Sequence, residues 1–217
     1  MEKISVRAVL FDLDGTLTDT EKYYQVAWPK ALRHFGYEVK DDFALELRSL
    51  GRPFAPRRFK ELFGEDFDYQ MVREYRKKLV EEIIAENGIP LKPGAVEILK
   101  WLRERGIFTA LVTANNYSRA ERYLRKIGLF EYFDKIICAN MVEQGKPAPD
   151  IYAYACTELG LAPGETFAVE DSPNGVTSAY LAGCNVIMIP DLTEPDEELF
   201  GKLYARLDKL LDIRELF

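Results

Sequence analysis

The sequence predicts an α/β fold, a doubly wound parallel sheet that is interrupted by an inserted α-helical segment. Two observations lead to this prediction. Short apolar runs alternate with amphipathic helical patterns outside residues 18–89, which is typical of a parallel sheet covered by helices. Residues 18–89 themselves contain helical patterns only. We therefore expect an α/β core formed by residues 1–17 and 90–217, with a helical insertion at residues 18–89.

Short apolar runs are the predicted strands of the core. Each run is apolar at successive positions rather than at alternate ones, which indicates a strand buried on both faces. The first run ends in acidic residues, and these mark its carboxyl end. In chain order the runs are Val6–Asp12, Ile107–Val112, Ile136–Cys138, Thr166–Val169 and Val186–Ile189.

The predicted helices follow from apolar residues that recur three and four positions apart. Ala95, Ile98 and Leu102 show this spacing, which places one apolar stripe against the sheet. We expect the tail, Pro195–Phe217, to form a terminal helix on the core. The same spacing predicts helices near residues 120–127, at Pro149–Leu159 and Asn174–Ala182, and, within the insertion, at Tyr23–Phe35 and Tyr69–Glu86.

Charge and composition argue against several classes of protein. The 217 residues include 29 Lys and Arg against 36 Asp and Glu, a net charge of −7, and this acidic balance disfavours nucleic-acid binding. No apolar run approaches the roughly 18–20 residues that a membrane span needs. The N-terminus lacks the features of a signal peptide. We expect a cytoplasmic protein without nucleic-acid or membrane partners, and a monomer by default.

The small number of histidines and cysteines restricts the chemistry further. His34 is the only histidine, so zinc sites that need two or more histidines are excluded. Cys138, Cys156 and Cys184 are widely spaced, and we expect them to be reduced and buried. The sequence contains neither a GxSxG nucleophile elbow nor a GxxxxGK(S/T) phosphate loop. Carboxylates and lysines are therefore the groups that any catalysis would use.

Polar residues follow the predicted strands and converge on one edge of the sheet. Asp12 and Asp14 come directly after the first strand, Thr113 after the second, and the Glu170–Asp171 pair after the fourth. Lys146 precedes a helix at the same edge. Open α/β sheets bind ligands beyond the carboxyl ends of their strands. Acidic groups alone would repel one another, so this pattern indicates a divalent cation, and hard oxygen ligands favour Mg²⁺.

Four segments resemble the ordered motifs of the haloacid dehalogenase superfamily. They are DLDGTLTDT from Asp12, VTAN from Val112, GKPAPDIY from Gly145 and VEDSPNGV from Val169. This resemblance implies a Rossmann-like core. It also implies that residues 18–89 form a helical cap, as in the phosphatase and β-phosphoglucomutase-like branch of the superfamily.

The resemblance implies roles for individual residues. Asp12 matches the nucleophile that forms an aspartyl-phosphate, and Asp14 matches the general acid and base. Thr113 matches the hydroxyl that binds the transferring phosphoryl group, and Lys146 matches the lysine that offsets negative charge. The Mg²⁺ ligands would be the Asp12 side chain, the Asp14 backbone carbonyl and the Glu170–Asp171 pair.

Three further residues are candidates for substrate binding. Asn115 can donate to a phosphate near the start of the next helix. Trp28 lies on the first cap helix, which can face the active site. Arg52 lies near the position of a specificity loop in related caps, and it would favour a second anionic group on the substrate. The neighbouring arginines fit a solvated helix face instead; they are Arg48, Arg57 and Arg58.

The resemblance predicts a Mg²⁺-dependent phosphatase that acts on a small phosphomonoester. A sugar-phosphate mutase is an alternative, but Tyr24 stands where the mutase carries a histidine. A phosphoaspartate signalling or binding protein without hydrolytic activity is a further alternative. The order Asp12, Asp14, Gly15 and the helical insertion disfavour it. Haloacid dehalogenation itself is disfavoured, because dehalogenases lack the second aspartate of the first motif.

Overall fold

The computed structural model describes residues 5–217, apart from the side chain of Glu46, and within this range six parallel strands form a central sheet. The strands are β1 Ala8–Phe11, β2 Phe108–Thr113, β3 Lys135–Cys138, β4 Thr166–Glu170, β5 Asn185–Met188 and β6 Ala205–Arg206. They lie in the order β3-β2-β1-β4-β5-β6. The predicted parallel sheet is confirmed. The five predicted strands correspond to β1–β5, and both ends of each lie within two residues of the observed ends. Residues 1–4 of the predicted core lie outside the described range.

Helices cover both faces of this sheet. Val9 and Phe11 on β1 belong to one apolar cluster and Leu10 to the other, because successive strand residues point to opposite faces. The helices are α1 Glu21–His34, α2 Phe54–Phe63, α3 Tyr69–Asn87, α4 Ala95–Glu104, α5 Tyr117–Lys126, α6 Asp150–Leu159, α7 Pro173–Leu181 and α8 Glu197–Phe200.

In the described part of the chain, no helix combines the length and the apolarity needed to cross a bilayer.

The segment between β1 and β2 contains α1, α2 and α3 before the chain enters α4. Both helices predicted for this insertion are present as α1 and α3, and α2 lies between them. Trp28, Leu32, Phe59 and Val72 share an apolar cluster that is separate from the two clusters of the sheet. The insertion therefore has an apolar core of its own.

The C-terminal tail is not the single helix that its pattern suggested. Within Pro195–Phe217, α8 is one turn long, β6 pairs with β5, and Leu210–Leu216 form a 3₁₀ helix. The edge of the sheet explains the difference, because β5 offers backbone groups that need partners. The amide of Tyr204 donates to the carbonyl of Val186 at 2.7 Å. This tertiary pairing overrides the weak helical pattern of the segment.

Candidate active site

The carboxyl ends of β1, β2 and β4 form the crevice that holds the candidate site. The chain extends the sheet from β1 through β2 to β3, then returns and adds β4 on the other side of β1. Such a reversal opens a ligand-binding crevice at the strand ends. Asp12 follows β1, Thr113 ends β2 and Glu170 ends β4. The fold thus brings these three residues to one edge.

The buried carboxylates of Asp12, Glu170 and Asp171 form a candidate metal site. Each residue offers one oxygen, and these oxygens all lie within 4.8 Å of one another. Buried carboxylates at this spacing need positive charge between them, and oxygen ligands suit a hard divalent cation. Gly15 borders the site with a φ of 92°, and a Cβ there would overlap the Asp171 carboxylate. The residues present therefore fit Mg²⁺.

Lys146 is a buried cation that faces two of these carboxylates. Its Nζ donates to Asp12 Oδ1 at 2.6 Å, to Glu170 Oε1 at 2.5 Å and to the Val112 carbonyl at 3.1 Å. Burial alone would lower the pKa of Lys146, but both carboxylates act against it and the pKa is raised. Burial has the opposite effect on an acid and raises the pKa of Asp12 well above its usual value, and Lys146 opposes that rise. Lys146 therefore remains charged beside Asp12.

Tyr152 extends the same network beyond Glu170. Its side chain is fully buried on α6, and its hydroxyl donates to Glu170 Oε1 at 2.6 Å. The motifs did not identify Tyr152 as a site residue, although it ends the GKPAPDIY segment. The available signal was its position between Ile151 and Ala155, because a phenol on an otherwise apolar helix face needs a buried partner.

Asp14 lies outside the carboxylate group and is held by neutral donors. Thr20 Oγ1 donates to Asp14 Oδ1 at 2.5 Å, and Asn115 Nδ2 donates to Asp14 Oδ2 at 2.6 Å. Asn115 Nδ2 also donates to Thr113 Oγ1 at 3.1 Å. Three residues chosen from the sequence therefore share one network. The Asp14 side chain is not part of the carboxylate group, so the metal contact predicted for Asp14 is its backbone carbonyl.

Arg48 is buried against Asp171, so the solvated position expected for it was wrong. Its Nη1 donates to Asp171 Oδ2 at 3.0 Å, and its side chain is 2% exposed. The 3₁₀ helix Phe43–Leu47 ends just before Arg48, and the chain there approaches the sheet edge. Burial raises the pKa of Asp171, and Arg48 partly opposes this rise. Arg57 and Arg58 are exposed, as expected.

Glu21, at the start of α1, is a further acidic residue beside the site. It is buried and lines the same cavity as Asp12 and Asp14. Burial raises the pKa of Glu21 to about 8, and the charge of Asp14 adds to this rise. Glu21 could not be selected from its sequence context, because an acidic residue in the first turn of a helix is also an ordinary partner of the helix dipole.

A cavity of about 530 Å³ opens onto Asp12 and Asp14, and a volume of this size is typical of small-molecule sites. Trp28 lines this cavity, and its ring also lies 4.8 Å from that of Phe59 in the packing of the insertion. Arg52 lines it too, but its Nη2 donates to the Val142 carbonyl at 2.8 Å. Both residues are therefore at the cavity, and the Arg52 guanidinium is partly engaged by backbone.

The loop that carries Lys146 is joined to the insertion by two backbone hydrogen bonds. The amide of Gly51 donates to the Lys146 carbonyl at 2.7 Å, and the amide of Gly145 donates to the Arg52 carbonyl at 2.7 Å. A Cβ on Gly51 would lie 2.7 Å from the Gly145 Cα. Glycine at both positions therefore allows the two backbones to approach this closely.

Comparisons with known proteins agree with this geometry. A family model for haloacid dehalogenase-like hydrolases matches residues 6–183, a range that includes every residue of the candidate site. Hexitol phosphatase A of Escherichia coli is 32% identical over 196 residues, which cover 88% of each chain. A phosphorylated carbohydrates phosphatase of Thermotoga maritima is 30% identical over 182 residues, which cover 82% of each chain.

A solved structure supports the same relationship. CbbY from Rhodobacter sphaeroides, in complex with phosphate, is similar to this chain with a TM-score of 0.79 and 28% sequence identity, and the match covers 96% of each chain. The similarity thus extends over the sheet and the helical insertion together. From its motifs, its fold and these matches, the chain belongs to the haloacid dehalogenase-like hydrolases.

Proposed function

We propose that this protein is a Mg²⁺-dependent phosphatase that hydrolyses a small phosphorylated carbohydrate through an aspartyl-phosphate on Asp12. The observation that carries the proposal is the 2.6 Å contact between Asp12 Oδ1 and Lys146 Nζ, within a carboxylate group that includes Glu170 and Asp171. A carboxylate in these surroundings can act as a nucleophile, because nearby positive charge offsets its repulsion from a phosphate.

In the first step, Asp12 attacks phosphorus with the carboxylate oxygen that Lys146 does not bind. The bond from phosphorus to the leaving oxygen breaks as the new bond forms, and Asp14 gives its proton to the leaving oxygen. Thr113 donates its hydroxyl hydrogen to a phosphoryl oxygen, and Lys146 balances the charge that develops there. Positioning and electrostatics supply most of the rate enhancement in such a reaction.

In the second step, water hydrolyses the aspartyl-phosphate. Asp14, now deprotonated, takes a proton from the water as its oxygen attacks phosphorus, and the carboxylate of Asp12 is restored. Hydrogen bonds from Thr20 and Asn115 hold both oxygens of Asp14. This restraint keeps the carboxyl group in one orientation for both proton transfers.

Asp12, Glu170 and Asp171 are the residues that would hold Mg²⁺, with the backbone carbonyl of Asp14 as a further ligand. The ion would supply positive charge beside the nucleophile and the phosphate, which otherwise repel each other. Tyr152 donates to Glu170 Oε1, whereas the second oxygen, Oε2, accepts only a long 3.4 Å hydrogen bond from Ser172 and could also contact the ion or a water on it.

Residues 18–89 act, in this proposal, as a cap over the substrate. Support comes from the cavity, which is lined on one side by the strand ends and on the other by α1, α3 and the segment around Arg48. The hydrogen bonds at Gly51 and Gly145 join that segment to the Lys146 loop. A closed cap excludes bulk water during phosphoryl transfer and strengthens every charge interaction inside.

The choice of substrate and reaction has separate support. Relatives named hexitol phosphatase A and phosphorylated carbohydrates phosphatase favour a phosphorylated carbohydrate.

Tyr24 favours hydrolysis over mutase activity, because it replaces the histidine of the mutase motif. Burial raises the pKa of Tyr24 well above its usual value, so its hydroxyl is a neutral donor that cannot serve as the missing imidazole.

The test is phosphate release from a panel of sugar and polyol phosphates, measured with Mg²⁺ and with a chelator. We expect release only with Mg²⁺, and a loss of at least about a thousandfold in Asp12→Asn, because that variant lacks the nucleophile. Asp66 is an exposed carboxylate, and Asp66→Asn should keep the wild-type rate. When wild type is quenched with acid during turnover of a substrate with radioactive phosphate, the protein should also retain label, and hydroxylamine should release that label from the aspartyl-phosphate.

Each alternative has its own outcome in this assay. An unchanged rate in Asp12→Asn would overturn the assignment of the nucleophile. Interconversion of sugar phosphates with little phosphate release would identify a mutase. A long-lived phosphoaspartate without turnover would identify a signalling or binding protein.

A further inference from the structure

We propose that one wall of the cavity binds a second anionic group of the substrate, so that the preferred phosphomonoester carries a further phosphate or carboxylate. This inference rests on the proposed function and narrows its substrate class. The wall is formed by α1, α3 and α5, and we call it the basic wall. The basic wall includes Arg76 from α3, Arg119 from α5 and Tyr24 from α1, all of which line the cavity.

Arg76 is a buried cation to which the described part of the chain gives no acidic partner. Arg76 is only 8% exposed, and its Nε is buried without a hydrogen bond. Arginine stays protonated in proteins, so this position holds a full charge. Burial lowers the pKa of Arg76, which reflects the loss of solvation. A buried charge without a partner is strongly destabilising unless a ligand supplies that partner.

Aromatic rings hold Arg76 in place without satisfying its donors. The guanidinium carbon lies 4.7 Å from the ring centroid of Trp28 and 5.1 Å from that of Tyr24. Contacts of this kind offset part of the lost solvation. A guanidinium donates hydrogen bonds within its own plane, so ring contacts leave the N–H groups available for a phosphate or a carboxylate.

Arg119 approaches the same tyrosine from α5. Its guanidinium carbon lies 5.6 Å from the Tyr24 ring centroid, and its Nε donates to the Tyr123 hydroxyl at 2.8 Å. Glu81 lies 3.5 Å from Arg119 but only 2.7 Å from Arg122, so one carboxylate serves two arginines. The Nη2 of Arg119 remains buried without a partner. Positive charge is therefore in excess here even before Arg76 is counted.

Three buried donors without a hydrogen-bond partner lie on the basic wall. The buried hydroxyl of Tyr24 also lacks a hydrogen-bond partner within residues 5–217, as do Arg76 Nε and Arg119 Nη2. Three orphaned donors on one wall are unusual, because buried polar groups are nearly always paired in folded proteins. An oxyanion with several lone pairs can accept from more than one of them. Arg73 and Lys77 line the same cavity and share one carboxylate, that of Glu74, so together they add one net positive charge.

The basic wall is a better candidate for this role than Arg52. Two backbone carbonyls, those of Val142 and Ala139, accept from Arg52 Nη2 at 2.8 Å and 3.4 Å, so this guanidinium is already partly engaged. The donors of Arg76 are not. Asp12 and Arg76 line one continuous cavity, so a single ligand can present one group to each.

The experiment compares matched substrates that differ by one anionic group. Phosphogluconate is compared with sorbitol phosphate of equal chain length, and a hexose bisphosphate with the matching hexose monophosphate. In wild type we expect kcat/KM to be at least about tenfold higher for the member with the second anion, mainly through KM, as charge-assisted hydrogen bonds contribute to binding both before and during reaction. The first pair tests a carboxylate and the second a phosphate.

Variants then connect the preference to the basic wall. Arg76→Gln and Arg119→Gln should each remove most of the preference, and Tyr24→Phe, which deletes only a hydroxyl, should reduce it about threefold. Lys78 on α3 and Arg125 on α5 are exposed cations away from the cavity, so Lys78→Gln and Arg125→Gln are the matched controls and should retain it.

The outcomes separate this inference from the proposed function. Equal kcat/KM values within both pairs, or a preference that Arg76→Gln, Arg119→Gln and Tyr24→Phe all retain, would overturn the inference while phosphatase activity stands. If no compound releases phosphate, the proposed function has failed instead. Calorimetric titration of the same pairs into wild type and Tyr24→Phe then still tests the basic wall, because tighter binding of the bis-anionic member requires no turnover.

Discussion

The hydroxyl of Tyr152 lies 2.6 Å from Glu170 Oε1, the same oxygen that Lys146 Nζ approaches at 2.5 Å. Two donors on one oxygen fix the Glu170 carboxylate, and that carboxylate in turn fixes the lysine that contacts Asp12. All four side chains are buried, so each hydrogen bond acts in a low-dielectric environment where it is strong and its loss is costly. Tyr152 is therefore a positioning residue for Lys146.

We predict that Tyr152→Phe lowers kcat about three- to tenfold with little change in KM, because it loosens Glu170 and Lys146 without touching the substrate. A hydrogen bond to an ionised group contributes about 1.5–3 kcal/mol, so the melting temperature should fall as well. Tyr154, on the same helix, makes no hydrogen bond with its hydroxyl among the described residues, and Tyr154→Phe should match wild type. Equal kcat values for Tyr152→Phe and wild type would mean that Lys146 alone orients Glu170.

Lys146→Met tests the charge balance between Lys146 and the two carboxylates. The substitution keeps the length of the side chain but leaves Asp12 and Glu170 buried without their cation, which we expect to lower the free energy of unfolding by about 3–5 kcal/mol. Mg²⁺ should restore part of this loss, because it supplies positive charge to the same carboxylates. Urea unfolding with and without Mg²⁺ measures both effects.

A control for Lys146→Met is an exposed ion pair between β3 and α6. Lys135 on β3 contacts Glu158 at 3.2 Å with both side chains partly in solvent, so Lys135→Met should change the free energy of unfolding by less than about 1 kcal/mol. Similar losses in the two variants would contradict the view that burial makes the Lys146 pairs important.

The parts of the fold that could be predicted are those set by local patterns. β1, β2 and β4 are continuous apolar runs, and a residue that follows such a run must lie at the carboxyl edge of a parallel sheet. That rule located Asp12, Thr113 and Glu170 together. The rule fails for β6, because Ala205–Arg206 becomes a strand only through its pairing with β5. Two residues are too few to form a sequence pattern that predicts a strand.

Contacts between distant residues could not be predicted for the same reason. Arg48 and Asp171 are 123 positions apart, and their ion pair exists because the insertion folds back over the strand ends. In the sequence, Arg48 resembles any arginine of a solvated helix face. The unpartnered donors of Arg76 and Arg119 are likewise a property of burial, which depends on three helices at once.

Gly15→Ala separates backbone strain from steric blockage of the metal site. Gly15 has a φ of 92°, and a Cβ there would overlap the Asp171 carboxylate. We predict that the variant weakens Mg²⁺ binding, measured by calorimetry, at least about tenfold because one ligand is displaced. Gly36 has a φ of 85° with nothing near its Cβ position, so Gly36→Ala carries the strain alone. It should lose about 1 kcal/mol of stability and bind Mg²⁺ normally; weaker Mg²⁺ binding there too would refute the steric account.

Glu21 links the stability of the metal-free protein to pH. Burial raises its pKa to about 8 in the folded chain, from an ordinary value of 4.5. Between these values the folded state holds a proton that the unfolded state has lost, so the free energy of unfolding falls as the pH rises. The raised pKa values of Asp12 and Asp171 act in the same direction.

We therefore predict that the denaturation midpoint of the chelator-treated protein falls between about pH 5 and pH 8. Glu21→Gln should flatten this dependence, because an amide does not titrate, whereas Glu38→Gln removes an exposed carboxylate and should keep the wild-type slope. Mg²⁺ should stabilise wild type more at the upper end of the range, since ionised carboxylates are the form that binds the ion. A wild-type slope in Glu21→Gln would mean that Glu21 is already ionised in the folded protein, and that its burial is offset by a partner such as Arg48.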